Sequence, residues 1–145
     1  MTEEADLLKM IEECDEILSK DSSNAKAYLD RGSAECNLAA EYIDTSKEKM
    51  YLEKAIADFN KVIDLTSDKS LLQEAHHEIG NAYSEIEQHE EAVKHFTAAI
   101  EITSDVHALT PLYLSRSCSY QELGEEELAN TDHEKYEALV KVTRG

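Results

Sequence analysis

The sequence predicts an all-α fold of antiparallel helix pairs stacked in series, and three observations carry that expectation. One Pro and four Gly in 145 residues leave few breaks for long helices, because both residues weaken helix interiors. Glu53 to Leu65 and Glu90 to Ile102 repeat one another in character: small, aromatic and aliphatic residues recur at the same offsets, and Thr-Ser-Asp follows each copy. The small residue upstream of each copy keeps a fixed distance. Gly80 and Ala92 are twelve residues apart, and so are Ser117 and Ala129 of a third, weaker copy. Self-similarity at a fixed period is the signature of a repeat architecture.

The elements follow in order. Glu3 to Lys20 reads as a single helix with Leu7, Leu8, Ile11, Ile17 and Leu18 on one stripe, ended by Asp21-Ser22-Ser23-Asn24. It is expected to cap the stack as a half-unit. The first repeat takes residues 25–69, the second 73–106 and the third 110–143, giving about seven helices in one domain spanning 1–145. In the first repeat Gly32 and Ala55 are twenty-three residues apart, so eleven extra residues lie between its helices. They predict two lengthened helices and a protruding hairpin that turns at Asp44-Thr45-Ser46, with Thr45 or Ser46 capping the second helix. Thr110-Pro111 predicts the start of the sixth helix, with Pro at the first helical position.

Gly32, Gly80 and Ser117 are expected where the first helix of each pair approaches the second, opposite Ala55, Ala92 and Ala129. Larger side chains there would hold the backbones apart. With Tyr28, Arg31, Glu35, Phe59 and Val62 in the first unit, His76, Ile79, Tyr83, Phe96 and Ala99 in the second, and Tyr113, Arg116, Tyr120, His133 and Tyr136 in the third, this pattern resembles the tetratricopeptide repeat family. The resemblance covers nearly the whole chain and implies a right-handed superhelix of helix pairs. Two departures stand out. Glu35 occupies an aromatic position, and His133 replaces the usual Phe on the last helix, which has no neighbour beyond it.

Composition and charge narrow the functions. The formal net charge of −18 argues against nucleic acid, which is held by clustered Lys and Arg, and against anionic membrane surfaces. A basic protein or peptide is the natural electrostatic partner. Cys14, Cys36 and Cys118 are few, odd in number and far apart, which suggests neither zinc nor a redox pair. The reading expects a cytoplasmic chain of reduced thiols. The acidic start, Met1-Thr2-Glu3-Glu4, gives no signal-peptide pattern.

No catalytic constellation is legible, and neither a metal nor a cofactor is expected. His76-His77-Glu78 and His89-Glu90-Glu91 fit no zinc motif, and His76 and His89 should point apart. The resemblance implies that the first helices line a concave groove. Leu29, Asp30, Ser33 and Asn37, with Lys26 and Cys36, would supply it from the first unit. Glu74, His77, Glu78, Asn81 and Glu85 would do so from the second, and Leu114, Ser115, Cys118, Gln121 and Glu122 from the third. The basic clamp with which some members hold chaperone carboxylate tails is missing: Leu29, Ser33, Glu78, Pro111 and Ser115 stand at its positions, and Glu78 would repel a carboxylate. The sequence thus predicts a non-catalytic scaffold that holds a peptide or helix of a partner. Asn37, Asn81 and Gln121 would bond its backbone, and the carboxylates would favour basic residues. Self-association through the hairpin or the last helix is the alternative.

Overall fold

The computed structural model describes residues 3–144; Met1 and Thr2 of the acidic terminus, and Gly145, lie outside the described residues. Seven helices follow one another: α1 (Glu3–Lys20), α2 (Ala25–Glu41), α3 (Ser46–Leu65), α4 (Lys69–Glu85), α5 (His89–Ile102), α6 (Val106–Glu122) and α7 (Glu126–Arg144), with no strand among the described residues. Each helix packs on the next, and α2 also meets α4 while α4 meets α6. Among the described residues no such contact joins α3 to α5 or α5 to α7. The first helices of successive pairs therefore crowd together along the inner curve while the second helices splay outside. No helix of the described residues is long and apolar enough to cross a membrane.

The small residues set how closely each pair can close. A Cβ on Gly80 would lie 2.5 Å from Cε1 of Phe96, and one on Gly32 would lie 2.7 Å from Cε1 of Phe59. Both rings are fully buried. In the third pair Ser117 is buried and its Oγ donates to the carbonyl of Ala129 at 2.9 Å, so a hydroxyl fills the gap that glycine leaves elsewhere. Gly80→Ala is expected to force the Phe96 ring aside. Overpacking of this kind costs about 1–3 kcal/mol and outweighs the helix-propensity gain of up to about 1 kcal/mol. Urea denaturation should show the loss.

The turns inside the second and third pairs are alike. After α4, Gln88 N–H donates to the Tyr83 carbonyl and Glu87 N–H to the Ser84 carbonyl; after α6, Glu125 and Gly124 do the same to Tyr120 and Gln121. This is the Schellman arrangement, whose pivot residue adopts a left-handed conformation that glycine tolerates best. Gly124 has φ +77° and Glu87 has φ +63°. Glu87→Gly is therefore expected to relieve about 1 kcal/mol of backbone strain, read as a raised melting temperature.

Two local expectations are corrected. Helix α6 begins at Val106, where the Asp105 carboxylate accepts from His107 N–H, and Pro111 lies inside the helix. There Thr110 Oγ1 donates back to the Val106 carbonyl at 2.7 Å and serves as no cap. Asp105 wins because a carboxylate at a helix start also meets the positive end of the dipole. Thr45 does precede α3, but its hydroxyl donates to the Tyr42 carbonyl and makes no side-chain cap. Helix α4 starts at Lys69, capped by Asp68. Helices α4 and α6 thus each begin about one helical turn ahead of the repeat bounds at 73 and 110.

The eleven inserted residues also have a clear destination. Helix α2 runs nine residues past Gly32, where α4 and α6 run five past Gly80 and Ser117. Helix α3 starts nine residues before Ala55, where α5 and α7 start three before Ala92 and Ala129. The added turns project as a hairpin that leans on α1 through a hydrogen bond from the Tyr42 hydroxyl to Glu4.

Candidate functional site

Helix α2 carries Cys36, Ala39 and Ala40 along one stripe, which Ile43 just beyond its end continues, and α4 carries Glu78, Asn81, Ala82 and Glu85 along another. Both have the three-and-four spacing that places residues on a single helix face. The two stripes face each other and, with Glu48 and Leu52 of α3, enclose a cavity of about 250 Å³. Its floor is apolar, with Ala39, Leu52 and Ala82 all buried. Glu48, Glu78 and Glu85 supply negative charge. Burial, and then the neighbouring Glu74, raise the Glu78 carboxyl above its ordinary range. Burial, and then Glu78, push the Cys36 thiol up to about 12, so Cys36 is a neutral wall group at physiological pH.

The sequence-predicted groove residues divide on this geometry. Glu78, Asn81 and Glu85 come together in the cavity. Leu29 does not reach the surface: at 1% exposure it belongs to the core with Ala55, Phe59 and Ile79, because α4 packs close beside α2 on the inner curve. Asp30 is engaged by Lys26 Nζ at 2.7 Å, and the His77 ring meets the edge of Phe96. Ser33 and Ser115 are half-buried, whereas Asn37, Glu74, Leu114, Cys118 and Glu122 are exposed. Gln121 borders a separate depression with Glu126 and Asn130.

Two features went unread in the sequence. Arg31 donates to both carboxylate oxygens of Asp58, at 2.9 and 2.7 Å, and to Asp15 of α1 at 2.8 Å. Arg116 likewise donates to Asp132 at 2.7 and 2.8 Å and to Thr97 of α5 at 3.1 Å. Each arginine thus ties the two helices of its own pair to the preceding helix. The signal was an Arg one residue before the small residue, with an Asp three after the Ala, in both outer units. The middle unit has Ile79 and His95 instead. There His95 lies within 3.0 Å of His76, Nδ1 to Nδ1, under the ring of Tyr83. Among the described residues no group of three or more His, Cys, Asp or Glu side chains is arranged to hold a metal ion.

Comparison with known proteins bears on this architecture. Residues 73–106 match the family model for the tetratricopeptide repeat. A crystal structure of MamA protein is similar at a TM-score of 0.70 and 23% identity, over 90% of this chain and 62% of that one. The chain therefore spans less than two thirds of that protein's length. Another crystal structure of MamA is similar at a TM-score of 0.57 and 16% identity, over 92% of this chain and 88% of that one. At these identities the likeness is one of fold. No curated protein matches the chain. Gly80 pressed onto Phe96, in a stack of like helix pairs, accords with the tetratricopeptide-repeat match over residues 73–106.

Proposed function

We propose that the chain is a non-catalytic scaffold that holds a peptide or helix of a partner protein against the inner face formed by α2, α4 and α6. The observation that carries this reading is the cavity between α2 and α4, apolar at its floor and acidic around it. Sites of this kind combine an apolar lining with a few polar groups that fix orientation. The exposed amides of Asn37 and Gln121 and the half-buried Asn81 can bond an extended backbone, and the net charge of −18 steers a basic partner toward this face. Affinity capture from native lysate tests it. Glu78→Lys with Glu85→Lys is expected to lower the yield of basic partners about tenfold or more, since like-charge juxtaposition costs several kcal/mol. An unchanged yield counts against the assignment.

A second reading, self-association, is favoured by apolar residues at the two extremities. Ile43 at the hairpin tip is 61% exposed, and Leu128 and Val142 on α7 are 47% and 67% exposed. Sedimentation that gives a monomer mass independent of concentration would remove it.

A further inference from the structure

We infer that the cleft between the lengthened α2–α3 hairpin and α4 is a socket for one arginine side chain of a partner polypeptide. The inference rests on the inner-face reading above and names the side chain that this face recognises.

The socket is a product of the insertion. Ile43 lies just beyond α2 and Glu48 in the first turn of α3, both within the added stretch, and neither the second nor the third pair has an equivalent. The cleft joins two surfaces with different demands. Ala39, Leu52 and Ala82, themselves buried, back it with apolar atoms, and the exposed Ala40 and Ile43 give it an apolar wall. Above it, Glu48, Glu78 and Glu85 find no cation among the described residues, whose ion pairs lie elsewhere, at Glu16, Asp30, Asp15, Asp58, Glu91, Asp132 and Glu137. An occupant must therefore be apolar along its length and positive at its tip.

Lysine and arginine both have that form, and the environment of the carboxylates decides between them. Glu78 and Glu85 are two helical turns apart on α4, and Glu48 stands across the cleft on α3. They are not arranged as metal ligands would be. A planar guanidinium can span separated acceptors with several donors, whereas an ammonium is a compact point charge. Glu78 is only partly solvated, and a guanidinium is more weakly hydrated than an ammonium, so it loses less on entering. Backbone bonds from Asn81 beside the cleft would hold the chain that carries it.

The test is an NMR titration of the ¹⁵N-labelled full chain with Nα-acetyl-arginine methylamide, using the neutral citrulline analogue as control. Arginine is expected to give saturable shifts at Ala39, Ala40, Asn81 and Ala82, and citrulline none. Glu78→Gln and, separately, the exposed Glu85→Gln should each weaken the response about tenfold, the size of one charge-assisted hydrogen bond. No saturable shift, equal shifts with citrulline, or indifference to both substitutions overturns the socket. Capture from lysate run in parallel with Gln121→Ala and Leu114→Asp separates the two readings. If partner yield falls in those variants while arginine leaves the cleft silent, the socket is wrong and the inner face stands. If arginine fills the cleft while capture ignores them, the socket stands and the wider groove falls.

Discussion

Asp132→Ala is expected to destabilise the third helix pair by about 3–5 kcal/mol, because removing one partner of a buried ion pair leaves the other charge uncompensated. The Asp132 side chain is 3% exposed and that of Arg116 is 14% exposed. The guanidinium binds Asp132 through two parallel bonds and reaches Thr97 with a third nitrogen. Tyr113 and Tyr120 flank it at 5.6 and 5.7 Å, so water cannot readily replace the lost carboxylate. Among the described residues helix α7 packs on α6 alone, and in a stack held by nearest-neighbour contacts the damage should stay at that end. Hydrogen exchange is expected to show α7 amides losing protection while α3 and α4 keep theirs. Arg116→Met combined with Asp132→Leu should recover most of the loss, since an apolar pair of similar volume often matches a buried ion pair. A single-mutant effect below about 1 kcal/mol would mean that the pair behaves like an exposed one.

The related change in the first pair, Asp58→Ala, should cost less. Arg31 keeps Asp15 at 2.8 Å, and the loss of Asp58 removes an anion beside the buried Glu35. Equivalent positions in one repeat pattern thus carry different energetic weight according to what surrounds them.

That dependence also explains how far the sequence could be read. The helix pairs were legible because their determinants are local: Gly80 and Ser117 each stand twelve residues before a facing Ala, and the eleven extra residues after Gly32 announced the hairpin. Helix starts were less legible. Asp105 and Pro111 both mark a beginning, and only the observed capping of His107 N–H by Asp105 ranks them. The inner face was legible as a set of positions and illegible as a surface. Leu29 falls at a groove position, yet it is buried because α2 and α4 close over it. The cavity needed Ile43 and Glu48, which have no counterpart in the repeat pattern and so no position from which to be assigned. The arginine pairs were encoded by spacing, but their worth depends on burial, which spacing does not report.

Glu35→Gln is expected to stabilise the protein in proportion to pH. Glu35 stands where the other units carry Tyr83 and Tyr120, so it inherits a site shaped for an aromatic ring and is 6% exposed. Burial, then a hydrogen bond to Asp58, push its carboxyl up to about 9, and its Oε1 has no partner. In the unfolded chain the same group ionises near its ordinary value of 4.5. Below that value both states hold the proton and the site costs nothing through ionisation. Between 4.5 and about 9 the unfolded chain releases a proton that the folded one keeps, so stability falls as pH rises. The slope approaches about 1.4 kcal/mol per pH unit. Glutamine keeps the shape and a donor toward Asp58 but has no proton to lose. Urea denaturation of both proteins should therefore give a gap in favour of the variant that widens by about 4 kcal/mol between pH 5 and pH 8. The difference between the two curves isolates Glu35, because every other carboxylate titrates in both proteins. Parallel curves across that range would mean that Glu35 reaches water and ionises in the folded state. The aromatic position would then be filled by a solvated charge, and Glu35→Tyr, which should restore the ring found in the other two units, would bring no gain in stability.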